Sequence, residues 1–208
     1  MCAIPQAHHA SLGFTRQNLP AGGHICQIFS NDEDRLDAVL KFLRSGLEAG
    51  ERVACFSDKL DNARLVGYLA DHRLSLEEYT GSGAFSKTDA SEVYFADGCF
   101  DPERLLGSLR KLREDALAGG FVAARVIGEM MADVLHVAGI SRLLEYEARV
   151  SLLLRTCPMT AVCQYDANAF DGATIMQVLK VHPLMVIRDT IVHNPFYLPP
   201  EDFLANHC

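Results

Sequence analysis

Strand-length apolar runs alternate with helix-length amphipathic segments along almost the whole chain, and this alternation constrains the fold more than any other feature. "HICQIF" (24–29), "RVACFSD" (52–58), "EVYFAD" (92–97), "FVAARVIGEM" (121–130) and the run opening "TAVCQYDAN" (160–168) read as strands. "LMVIRDTIV" (184–192) reads as a last strand or a hairpin. Between them, 31–50 reads as a helix with Leu36, Val39, Leu40, Leu43 and Leu47 on one stripe, Asn31 or Asp32 as cap and Gly50 as stop. A short helix falls near 61–71. A longer one opens at Asp101-Pro102, carries Leu105, Leu109 and Leu112, and closes at Gly119-Gly120. Residues 139–156 and 172–182 give two more. Strands separated by helices predict an α/β fold, a three-layer sandwich with a mostly parallel central sheet. The expected organisation is a flexible N-terminal segment, 1–21, and one domain over 22–208. The Gly/Ser-containing stretch 72–92 reads as a loop and is the expected mobile lid.

Several function classes are excluded or disfavoured. The 208 residues carry a formal charge of −8 without a Lys/Arg cluster, so direct nucleic-acid binding is not expected. No apolar run reaches the roughly 18–20 residues needed to span a bilayer. The N-terminus lacks a basic stretch followed by a long apolar one, so no secretory signal is read and a cytoplasmic location is expected. The seven cysteines are odd in number and form no C-x-x-C, which argues against a disulfide framework. Between the first strand and helix the chain reads "SNDEDRL", with no glycine, no lysine and three carboxylates. A phosphate cradle needs open backbone N–H groups and a cation there, so no ATP site is expected.

Certain side chains carry chemistry. "TAVCQYDAN" places Cys163, Gln164, Tyr165 and Asp166 consecutively near a strand end, where ligands of parallel α/β sheets bind. His24 and Cys26 share one strand face by period-2 alternation. Arg125, Ile127 and Glu129 also alternate onto one side. Glu147 lies on a helical stripe with Leu143, Val150 and Leu154; a carboxylate there must be paired, hydrogen-bonded or protonated. It is either an ion-pair partner of Arg125 or Arg149, or a polar anchor in a ligand pocket. His182 ends a helix before Pro183, where the dipole favours a protonated ring. His24, Cys26, Cys163 and His182 form an alternative metal-ligand set, although no short ligand pair nucleates it.

The chain resembles the MEDS family, the methanogen/methylotroph DcmR-type sensory domain. The resemblance covers roughly residues 22–204. It rests on "GGHICQIFSNDEDRL", "RVIGEM", "LLEYEARVSLLL", "VCQYDANAF", "VLKVHPLMVI" and "NPFYLPPEDFL" in that order. It implies a RecA-like α/β domain that has lost its phosphate-binding loop. It also implies a sensor of small organic molecules, such as hydrocarbon derivatives or methylated substrates, joined to or acting on a transcription factor or histidine kinase. Without such a module here, a stand-alone sensor acting through a protein partner is expected.

The combined expectation is a pocket at the carboxyl rim of the sheet lined by His24, Cys26, Glu129, Tyr146, Glu147, Cys163, Tyr165, Asp166 and His182. Tyr165 and Glu147 would orient a small organic ligand, and the thiols and Met130 would give soft apolar contact. No cofactor and no enzymatic activity are expected, and a homodimer is expected because two-fold dimers are the commonest soluble assembly. Three rivals stand beside this: a metal sensor, a partner-binding anti-regulator without ligand, and an enzyme using Cys163 as nucleophile with His182 as base.

Overall fold

The computed structural model describes residues 9–131, 136–156 and 159–207. Residues 1–8, with Cys2, lie outside the described residues, as do Cys157 and Cys208.

Two short antiparallel strands, β1 (His9–Ser11) and β2 (Asn18–Pro20), precede the main sheet. They fall in the stretch read from sequence as a flexible lead-in. Leu12, between them, is fully buried against the face that α1 covers. The domain proper follows the predicted alternation: β3 (His24–Phe29), α1 (Asp32–Glu48), β4 (Arg52–Phe56), α2 (Asn62–Asp71), α3 (Leu76–Gly81), β5 (Phe85–Thr88), α4 (Ala90–Tyr94) and α5 (Pro102–Ala118). Then come β6 (Ala124–Met130), α6 (Leu143–Arg155), β7 (Met159–Asp166), α7 (Gly172–Val181), β8 (Leu184–Ile187), β9 (Thr190–His193) and α8 (Pro200–His207).

Seven strands form one sheet in the order β5-β4-β6-β7-β3-β8-β9, parallel except for the terminal β8–β9 hairpin. Helix layers cover both faces, as buried parallel strands require. On one face Leu36, Val39, Leu40, Leu43 and Leu47 of α1 pack on Ile25, Val53, Ile127 and Val162. On the other, Leu105, Leu109 and Leu112 of α5 and Leu143, Val150 and Leu154 of α6 pack on Cys26, Val126, Ala161 and Tyr165.

Two sequence expectations fail locally. "EVYFAD" is not a strand: α4 ends at Tyr94 and a 3-10 turn follows at Ala96–Gly98. The Arg104 guanidinium holds that turn by donating to the carbonyls of Val93 (2.6 Å) and Tyr94 (3.2 Å). The missing strand is β5, inside the stretch read as a lid. Its register with β4, Val53 opposite Phe85 through Phe56 opposite Thr88, builds that segment into the sheet. The tail closes in a further helix, α8. Among the described residues, no helix is long and apolar enough to cross a membrane.

Candidate functional site

Glu147 stands in the second turn of α6 with its side chain turned onto the sheet, fully buried. The helical stripe Leu143-Glu147-Val150-Leu154 dictates this: packing the apolar residues carries the carboxylate inward with them. A buried carboxylate without partners costs several kcal/mol. Here it has four partners from three other elements. The Tyr165 hydroxyl, from β7, donates to Oε1 at 2.6 Å. His24 Nε2, from the first residue of β3, lies 3.2 Å from Oε2. The Cys163 thiol, from β7, lies 3.7 Å from Oε2 and 3.5 Å from His24 Nε2. His182, which caps α7, places its Nε2 3.6 Å from Oε2.

A second tier of bonds fixes these rings. His24 Nδ1 is 2.8 Å from Ser151 Oγ, and that hydroxyl donates to the Val181 carbonyl at 3.2 Å. Its proton being committed, Ser151 accepts, so His24 Nδ1 carries a hydrogen and its Nε2 faces Glu147. His182 Nδ1 lies 2.8 Å from the Val178 carbonyl, which can only accept, so this nitrogen is the donor. The two imidazoles stack at 4.2 Å between centroids, and Tyr165 meets His182 edge-on at 5.9 Å.

Electrostatics follow from burial. Burial pushes the His182 pKa down to about 4, with His24 adding to the effect, so its ring is neutral near pH 7. Burial would raise the Glu147 carboxyl, but the His24 hydrogen bond, the imidazole charges and the Tyr165 hydroxyl hold it below its ordinary value. Burial and the Glu147 charge push the Cys163 thiol well up. With neutral His182 bonded through Nδ1–H, its Nε2 is a buried lone pair without a hydrogen-bond partner.

The family model for MEDS, the MEthanogen/methylotroph, DcmR Sensory domain, matches residues 23–183. The chain belongs to the MEDS family. A curated relative, the transcriptional repressor DcmR of Methylorubrum extorquens, is 26% identical over 160 residues, covering 76% of this chain and 57% of that protein. The chain therefore matches just over half the length of that relative. Among solved structures, a KaiC-like protein from Pyrococcus horikoshii superposes with a TM-score of 0.60 at 13% identity, covering 86% of this chain and 80% of that one. The flagellar accessory protein FlaH from Methanocaldococcus jannaschii gives 0.55 at 11%, covering 89% and 84%. These likenesses establish a RecA-like α/β fold.

At the β3–α1 junction of this MEDS domain, where a phosphate loop would lie, the Asn31 side chain accepts from the backbone N–H groups of Glu33 (2.8 Å) and Asp34 (3.4 Å). The helix N-terminus is thus capped by its own residue and lined with Asp32, Glu33 and Asp34.

Five of the nine expected site residues converge: His24, Glu147, Cys163, Tyr165 and His182. They gather between the sheet and α6 and not at the carboxyl rim, because His24 begins its strand and Cys163 sits within β7. Cys26 packs in the apolar core beside Cys163, one rung from the centre, and Glu147 takes the place it was expected to fill among the ligating groups. Tyr146 is the neighbour of Glu147 but turns its ring edge onto Phe100 (5.6 Å). Glu129 belongs to the other face: it accepts from Ser57 Oγ (2.9 Å) and pairs with Lys59 (3.2 Å) and Arg35 (3.6 Å). Asp166 follows Tyr165 by one residue and so points away. It caps its own turn through Asn168 N at 2.9 Å.

Neither predicted ion-pair partner reaches Glu147. Arg125 pairs with Glu51 at 2.5 Å on the α1 face, and Arg149 pairs with Glu103 and Glu145. The void bordering Cys163, Tyr94 and Tyr146 has a volume of only ≈ 10 Å³, about the space of one water. A wider groove of ≈ 360 Å³ lies between β5 and α5, away from these residues; there Arg52 and Lys111 both pair with Asp115.

Ser151 is the functional residue that sequence reading missed. Its signal was present: it stands four residues after Glu147, a polar side chain on the same apolar face.

Proposed function

We propose that this MEDS domain is the sensory part of a regulatory system, that its input registers at the Glu147 centre, and that its output goes to a protein partner through α6 and the helices on it. One observation carries the reading. A single buried carboxylate on α6 is tied to side chains from β3, β7 and the end of α7, so whatever binds or protonates this centre alters how α6 sits on the sheet. Such a centre signals only if its ligand binds two arrangements of the domain unequally. The outer layer offers the means of transmission: Phe203 of α8 is buried against Ala148 of α6 and Val181 of α7, and Arg155 pairs with Glu201 at 2.6 Å. The similarity to a transcriptional repressor supports a regulatory role.

A small organic ligand entering by the ≈ 10 Å³ void beside Cys163 would have to displace the α6 side chains Tyr146 and Val150 that line it. The enzymatic alternative is weakened. A catalytic thiol must ionise readily, and burial with Glu147 holds Cys163 protonated.

The test needs no knowledge of the ligand. A Glu147→Gln allele at the native locus is compared with deletion and wild type by transcript profiling, with protein level measured in parallel. The reading predicts that the substituted strain reproduces the deletion profile while the protein accumulates normally. A wild-type profile from the Glu147→Gln strain contradicts it.

A further inference from the structure

We propose that the buried centre is a binding site for one divalent transition-metal ion, held by His24 Nε2, Glu147 Oε2, Cys163 Sγ and His182 Nε2. The inference rests on the sensory reading above for its biological meaning, but its physical basis is independent of it.

These four atoms lie within 4.8 Å of one another. Four of their separations are 3.2, 3.5, 3.6 and 3.7 Å. Around a tetrahedral ion with bonds of about 2.0–2.3 Å, ligand atoms stand roughly 3.3–3.8 Å apart. These four separations lie close to the edges of such a tetrahedron, and the remaining two, both to His182, are no longer than 4.8 Å.

Both imidazoles spend their Nδ1 hydrogens outward, on Ser151 Oγ and on the Val178 carbonyl. The Nε2 atoms of both rings are therefore turned toward a carboxylate oxygen: His24 Nε2 meets it in the hydrogen bond described above, whose proton an entering ion would displace to solvent, whereas His182 Nε2 meets it with no hydrogen-bond partner. Acceptors facing one another in a dry interior repel unless a cation lies between them. His182 Nε2 is the clearest case, since it is fully buried and has no hydrogen-bond partner. Ligating histidines are commonly held in this way, with the outer nitrogen donating to a hydroxyl or carbonyl.

On binding, the Cys163 S–H bond breaks, its proton leaves to solvent and a sulfur–metal bond forms. Thiolate and carboxylate together offset a divalent ion, and the two imidazoles are neutral donors. The filled site is then electrically neutral, which a buried position favours. Two nitrogens, one thiolate and one carboxylate suit an ion of borderline softness such as zinc, and disfavour magnesium or calcium. The void bordering Cys163 is about the size of one water, which suits an ion.

The test is titration of the full chain, reduced and stripped with chelator, with Co²⁺ as a visible stand-in for zinc. The proposal predicts one Co²⁺ per chain, the visible bands of a tetrahedral ion, a near-ultraviolet thiolate-to-cobalt band, and displacement by Zn²⁺. Cys163→Ser should lose the near-ultraviolet band and bind at least about tenfold more weakly, in the range seen when metal-site groups are lost. His182→Gln should weaken binding to a similar degree and keep the thiolate band, and Cys26→Ala should keep both stoichiometry and band. Circular dichroism of each variant confirms folding, and the two ligand variants keep the test decisive if Glu147→Gln unfolds. Absence of Co²⁺ uptake by the folded wild type, or a thiolate band lost with Cys26→Ala and kept in Cys163→Ser, overturns the proposal. The sensory reading fails separately. A metal-binding protein whose Glu147→Gln strain transcribes as wild type has a structural ion, whereas a strain phenotype without metal uptake leaves the sensor and removes the ion.

Discussion

At the residue scale, Glu147 was legible because a carboxylate on an apolar helical stripe has few places to go. Its partners were less so. His24 and His182 each had a commonplace reading, and only the fold shows that both rings turn to the same oxygen. Glu129 was misplaced for a definite reason. β6 is buried on both faces, so its residues show no polar–apolar alternation to tell which parity faces α6. Arg125, Ile127 and Glu129 all face α1 instead. The centre makes a pH prediction for metal-free protein. The His182 pKa falls from 6.5 in an unfolded chain to about 4 in the fold. Above 6.5 its contribution to stability is complete, and it is lost as pH drops toward 4, because the unfolded chain takes up a proton that the folded ring resists. Glu147, also lowered, adds loss in the same direction below its ordinary 4.5. Urea unfolding of chelator-treated protein should show a decline on the order of 3 kcal/mol between pH 6.5 and 4. His182→Gln should flatten that window, and an unchanged slope in the variant would contradict the burial argument.

At the element scale, the helices with strong stripes and caps were read to within a few residues. Asn31 and Asp101 each accept from the backbone N–H groups that open α1 and α5. The failures lie where local preference and tertiary context conflict. Val93, Tyr94 and Phe95 favour strand by type, yet Tyr94 is needed as a helical residue whose hydroxyl lies over Gly128. An added Cβ at Gly128 would come within 2.3 Å of that oxygen. β5 was missed because "FSKT" is short and edge-placed. Arg125 joins several elements: its guanidinium pairs with Glu51 and donates to the Ser11 carbonyl (3.0 Å), the Phe42 carbonyl (3.1 Å) and Ser45 Oγ (2.8 Å). Glu51→Ala strands this buried cation. It should cost about 3–5 kcal/mol in denaturant unfolding, with faster amide exchange at 9–12; a loss under 1 kcal/mol would contradict this role.

At the scale of the whole molecule, the alternation was enough to give the three-layer fold, and the family resemblance gave its RecA-like character. The two ends were not legible. β1 and β2 are three residues each, too short for periodicity, and α8 opens at Pro200, directly after Pro199, in a stretch whose prolines mask its helical character. α8 matters to the proposed output because Phe203 seats it on Ala148 and Val181. Phe203→Ala should cost about 3–5 kcal/mol, read as a fall in the thermal midpoint, whereas a midpoint unchanged within error would show that α8 is not part of the cooperative unit.

The central claim is that distant parts of the chain converge on one cation-sized centre. X-ray absorption at the zinc edge of the zinc-loaded full chain tests it most directly. The account predicts a four-coordinate shell with three nitrogen or oxygen neighbours near about 2.0–2.1 Å and one sulfur near about 2.3 Å. A shell without sulfur, or with two sulfurs, would contradict it.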